Sequence, residues 1–147
     1  MNTINHVLWG ATIGRSIGMP IEGAIVGGLP DLFSIPILGY FKIINKDKLN
    51  KIPKLAFNIY SFLHNWWLGL ILTGILYLID PKLFVLGLCY DWHIFQDAFV
   101  HTDMATKFLY PIWKGKVQKY SVYDHKWVQF VDLIIIIFVN LIIDKKF

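Results

Sequence analysis

Residues 83–101 read LFVLGLCYDWHIFQDAFVH. The stretch is almost wholly apolar and comes close to the roughly 20 residues that a bilayer-crossing helix needs. Three ligand-type side chains, His93, Asp97 and His101, recur in it at i, i+4 and i+8. On a helix this spacing puts them on one face, drifting by roughly 40° per step. Two imidazoles and a carboxylate suit zinc or another first-row metal. Ionisable groups are costly inside a membrane segment, so the trio marks a candidate functional site.

The flanking sequence has the same character. Residues 56–79 are apolar for long enough to span, and Asp80-Pro81-Lys82 reads as a tight turn leading into the 83–101 stretch. Residues 127–143 form the most apolar segment, with LIIIIF at 133–138. Ahead of these lie a mixed apolar stretch, 4–19, and a Gly-rich one, 21–29, expected to break at Pro30-Asp31. Residues 32–41 contain Pro36 and are expected to be irregular or a short helix. Gly10, Gly14 and Gly18 recur every fourth residue, a stripe suited to close helix packing or dimerisation. The fold class predicted is all-α: a single domain over residues 1–147, built as a polytopic membrane bundle of about four or five helical segments.

Composition agrees. Hydrophobic residues make up 56 % of the chain and charged ones 16 %, against roughly 25 % charged in soluble domains. The aromatic content suits interfacial belts. The net charge of +4 forms no basic stripe along one helix, so no nucleic-acid partner is expected. The lone cysteine, Cys89, cannot make an internal disulfide. Without a basic leader before the first apolar stretch, and with Arg15 interrupting it, no signal peptide is expected. Arg15 is expected to pair with Glu22.

The lysines set an orientation. Residues 42–54 and 102–126 each hold five lysines, and the positive-inside rule places both loops in the cytoplasm. The turn at Asp80 then lies outside, as do Lys145 and Lys146 if the last segment spans. The expected location is the inner or plasma membrane, multi-pass. His6, His64, His93, Asp97 and His101 share the cytoplasmic half of the bilayer, and Asp31 sits at a Pro-marked break where a carboxylate can line a cavity. These six residues are the candidate metal ligands.

The order of these marks resembles a known family. An early His6, a Gly-rich run ending in Leu29-Pro30-Asp31, His64 opening a span, and His93-x-x-x-Asp97 followed by Tyr110-Pro111 are similar to the membrane-bound metal-dependent hydrolases, the LexA-binding inner-membrane-associated group. The resemblance covers about residues 1–113; the last apolar segment carries no motif. A more distant similarity runs to the zinc-dependent phospholipase C and P1 nuclease group. What the resemblance implies is a metal set of His6, Asp31, His64, His93 and Asp97. There are departures. Leu32 and Phe33 stand where the family has a second acid, Leu63-His64-Asn65 replaces Thr-His-Ser, and Tyr60-Ser61-Phe62 replaces the Arg-Gly before it. They bear on a second metal ion and on catalysis.

The expected activity is metal-dependent hydrolysis of a phosphoester or lipid-like substrate, with zinc or manganese activating water. Asp97 and Asp31 are the candidates for general base, if they are not ligands. Membrane lipid is the expected partner. Three non-hydrolytic readings use the same residues: a haem protein with axial histidines, a transporter or proton relay, and an adaptor whose metal is structural.

Overall fold

A computed structural model describes residues 3–44, 54–98 and 125–145. These residues are all-helical. Six α-helices run in the order α1 (Thr3–Arg15), α2 (Pro20–Ile44), α3 (Lys54–Leu63), α4 (Trp66–Ile79), α5 (Phe84–Ala98) and α6 (Lys126–Asp144), with a 3-10 turn at Pro81–Leu83 before α5. His101, Tyr110 and Pro111 lie outside the described residues.

The architecture starts from an antiparallel hairpin of α1 and α2. Helix α1 ends in a Schellman turn. Gly18 has φ +75°, its N–H donates to the Arg15 carbonyl, and the Met19 N–H donates to the Gly14 carbonyl. The hairpin then closes without side chains between its backbones. A Cβ on Gly10 would fall on the Gly23 carbonyl, one on Gly23 would fall on the Gly10 carbonyl, and one on Gly27 would crowd His6 and Gly10. Gly10 and Gly14 of the stripe thus pack α1 on α2 within the chain, as small residues do wherever helices must approach closely, while Gly18 serves the turn.

Helix α2 corrects the expected break at Pro30. It runs unbroken through Pro30 and Pro36, and residues 32–41 are helical. Each proline removes one intrahelical bond and crowds the carbonyl four residues earlier. Packing against α1, α3 and α5 holds the helix together regardless, and Ser34 Oγ donates to the Pro30 carbonyl at 2.7 Å. Residues 56–79 depart from expectation in the other direction. The helix breaks at His64-Asn65 and bends by 45°. Asn65 takes an extended conformation and its side chain accepts the Trp67 N–H at 2.8 Å, which caps a new helix instead of continuing the old one.

Helices α4 and α5 form a second antiparallel hairpin, with Asp80 capping the 3-10 turn through Lys82 N. Gly87 lies against Thr73 and Gly69 against Asp91, and the Thr73 hydroxyl donates to Asp91 Oδ2 at 2.8 Å. Helix α5 packs on α1, α2 and α4 and forms the centre of the molecule.

Helix α6 joins through a polar seam along α1. Asn5 and Trp9 donate to the two oxygens of Asp132 at 2.7 and 3.0 Å. Asn140 donates to the Thr12 hydroxyl at 2.7 Å. Arg15 pairs with Asp144 at 2.6 Å, not with Glu22 as expected, because α6 runs beside it and leaves Glu22 exposed. Residue numbers rise together on both sides of this seam, so α1 and α6 are parallel.

The polarity of the molecule is inverted relative to a soluble domain. Among the described residues twelve polar or charged side chains are buried, more than the apolar ones, while large apolar side chains are exposed on every helix. Among the described helices one, residues 127–144, is long and apolar enough to cross a membrane alone, and the bent pair α3–α4 makes a second candidate if it counts as one span. The four or five segments expected from sequence are therefore not matched by as many span-length helices; α1, α4 and α5 hold 13–15 residues each.

The close hairpin is directly testable. Gly23→Val should lower the stability of detergent-purified protein by at least about 2 kcal/mol through overpacking, followed by thermal unfolding. Gly74→Ala, at a position with nothing within 4 Å of the added atom, should leave stability unchanged or slightly raised. Equal effects at both positions would refute the packing role.

Candidate metal centre

Four helices each bring part of one cluster. His93 and Asp97 project from the same face of α5. Asp31 follows Pro30 on α2. His64 is the last residue before the α3–α4 break, and His6 lies in the first turn of α1. His6, His64, His93 and Asp97 are at most 1 % exposed, and Asp31 is 6 % exposed.

The nitrogens and oxygens converge. Asp97 Oδ2 lies 3.3 Å from His64 Nε2 and 3.4 Å from His93 Nε2. Asp31 Oδ1 lies 3.5 and 3.8 Å from the same two nitrogens. One donor atom from each of Asp31, His64, His93 and Asp97 lies within 4.8 Å of all the others, so the group could hold a metal ion. Zinc bonds of about 2.0–2.2 Å to nitrogen and oxygen imply donor separations of about 3.4 Å around a tetrahedron. The four nitrogen–oxygen separations, 3.3–3.8 Å, lie around that value.

The backbone decides which ring nitrogens face the centre. His93 Nδ1 bonds the Gly27 carbonyl at 2.7 Å, and His64 Nδ1 bonds the Tyr60 carbonyl at 3.0 Å. A carbonyl can only accept, so each ring carries a proton on Nδ1, and the neutral imidazole turns its Nε2 lone pair inward. This is the second-shell arrangement that fixes a histidine as a metal ligand. Both Nε2 atoms are buried without a hydrogen bond. Lone pairs therefore face carboxylate oxygens across the centre, an arrangement that requires a cation or added protons between them.

His6 occupies a different place from the other two histidines. Its Nε2 lies 3.0 Å from Asp97 Oδ1, the oxygen not turned to His64 and His93, and its Nδ1 lies 3.3 Å from Gln96 Oε1. Its ring stacks on His93 at 3.7 Å. His6 thus reaches the four-atom group through Asp97. Asp31 is held in a comparable way, with the Thr3 hydroxyl donating to its Oδ2 at 2.8 Å. The shared Asp97 oxygen and the ring contact at 5.3 Å leave no gap for a porphyrin between His64 and His93, which argues against these two as axial ligands of a haem.

Other polar groups have local roles. Asp91 serves the α4 contact and Asp132 the α6 seam. Cys89 Sγ faces the Gly10 carbonyl at 3.5 Å, away from the cluster. Sequence reasoning misses Gly27 and Tyr60 as carbonyl partners, together with Gln96 and Thr3. Only Gln96, three residues beyond His93 and beside Asp97, carries a positional signal. Comparison of the chain with protein-family models, curated proteins and solved structures finds no match.

Elemental analysis of detergent-purified protein should find a divalent ion in the wild type and none in His93→Ala or Asp97→Ala. His6→Ala should retain the site with affinity reduced about 10–100-fold, the usual effect of losing an outer-shell partner. Asp91→Asn should bind like the wild type. Equal, negligible metal in all of them would refute the assignment.

Proposed function

We propose that this protein is a membrane-embedded, metal-dependent hydrolase acting on a phosphoester or lipid-like substrate, a reading in line with the sequence resemblance to membrane-bound metal-dependent hydrolases. The observation that carries it is the convergence of two proton-poor imidazole nitrogens and two carboxylates at tetrahedral spacing. Zinc and manganese both suit this donor set.

When bound, such an ion polarises a phosphoryl or carbonyl oxygen and lowers the pKa of water. The chain's own residues divide the remaining work. His64, His93 and Asp97 are the most buried and most tightly braced, so they hold the site. Asp31 has the longest separations and the greatest exposure of the four, its side chain 9 % exposed. Asp31 Oδ1 is therefore the group placed to take a proton from the attacking water and return it to the leaving oxygen.

Two features favour a lipid-like substrate in a bilayer. The outer surface is apolar around a polar interior. An open cavity of about 580 Å³ lies against α1, α4 and α5, walled by Trp9, Trp66, Leu70, Leu88, Trp92 and Phe95. Apart from Asp91 its surface is hydrocarbon and ring faces, suited to an acyl or isoprenoid chain, and it lies on a different face of α5 from His93 and Asp97.

A second reading rests on one observation. Four protein donors already complete a tetrahedron, as in structural zinc sites, whereas catalytic sites keep a position open. In that case the protein is a non-catalytic membrane protein stabilised by its ion. A screen of phosphodiesters, phosphomonoesters and lipid esters, with zinc- or manganese-loaded protein, separates the two. The hydrolase reading expects turnover that His93→Ala abolishes and Asp91→Asn preserves. Metal binding without turnover of any class would leave only the structural role.

A further inference from the structure

Tyr60 is buried, 4 % exposed, yet its hydroxyl has no hydrogen-bond partner. A phenol in this state forfeits its water without compensation, a cost that native structures seldom leave unexplained. Tyr90, also buried, shows the usual solution: its hydroxyl donates to the Leu63 carbonyl.

The surroundings of Tyr60 belong to the metal centre. Its ring lies on the His64 imidazole, with centroids 4.0 Å apart and planes inclined by 22°. Its own carbonyl fixes the His64 tautomer. Asp31 and Asp97 both act electrostatically on the phenol. Packing accounts for the ring and leaves the hydroxyl without a role. An un-ionised phenol beside two carboxylates is a hydrogen-bond donor, and such a donor next to a cation complements an oxyanion.

We propose that the Tyr60 hydroxyl is a substrate-contacting donor that binds an oxyanion oxygen, phosphoryl or carboxyl, held at the metal centre. The proposal rests on the metal reading above. The hydroxyl orients that oxygen and stabilises charge developing on it, as preorganised donors do in water-poor sites. Tyr60 is not required to hold the ion.

The test compares wild type and Tyr60→Phe, which keeps the ring stack and removes one oxygen. Full-length protein is purified in detergent, loaded with zinc, analysed for metal, and titrated calorimetrically with inorganic phosphate. The expected result is unchanged metal content and thermal stability, with phosphate affinity about tenfold weaker in the variant. Equal phosphate affinity would overturn the proposal, and so would loss of metal from Tyr60→Phe, which would make the phenol part of the cation's shell. Wild type that takes up zinc but no phosphate would overturn the oxyanion role while leaving the metal reading intact. Wild type that takes up no zinc would remove both.

Discussion

The structure depends on how a buried cluster of acceptors is neutralised. Two carboxylates and two imidazole lone pairs face one another beneath the surface, with backbone carbonyls occupying the ring protons that might have bridged them. Leaving one buried charge unpaired costs several kcal/mol, and a whole domain is stable by only about 5–15 kcal/mol. An uncompensated cluster of this size would therefore compete with folding itself. Zinc in small structural sites contributes about 10–16 kcal/mol, enough to offset the cost. Protonation is the alternative: one proton on either Nε2 already bridges that ring to the Asp97 oxygen 3.3–3.4 Å away, at the cost of one ligand lone pair.

The glycines of the first hairpin make this cluster geometrically possible. Contact between Gly10, Gly23 and Gly27 draws α2 so near α1 that the Gly27 carbonyl reaches His93 while His6 stacks on the same ring. A side chain at any of the three glycines would push α2 away from α1, and with it shift His6 and Asp31 relative to each other. Close helix packing and the centre are therefore coupled.

Part of this was legible in the sequence. The i, i+4 spacing of His93 and Asp97 specifies a shared face on any helix, and the structure places them so. Asp31 and His64 stood out as ionisable groups in apolar surroundings, and they meet α5 at the same point. Local rules misjudged the helix boundaries. Two prolines argued for a break in α2, where tertiary packing on three neighbours outweighs two lost hydrogen bonds. Conversely, residues 56–79 looked continuous because hydropathy is blind to a capping Asn65. The partners of the rings were not legible: the carbonyls of Gly27 and Tyr60 belong to the backbone, and no residue identity announces which carbonyl will be free to accept.

Helix lengths add a last constraint on where the centre lies. Helix α1 is described from three residues before His6, and α4 begins two residues after His64. The centre is thus near the N-terminal ends of α1 and α4, each roughly 20 Å long at 1.5 Å per residue. Asp31 accepts from Thr3, the first residue of α1, which ties α2 to the same end. Helix α6 starts on the same side, because it runs parallel to α1. The Asp31, His64, His93 and Asp97 group therefore lies near the side of the molecule on which α6 begins, the one described helix long and apolar enough to cross a membrane alone.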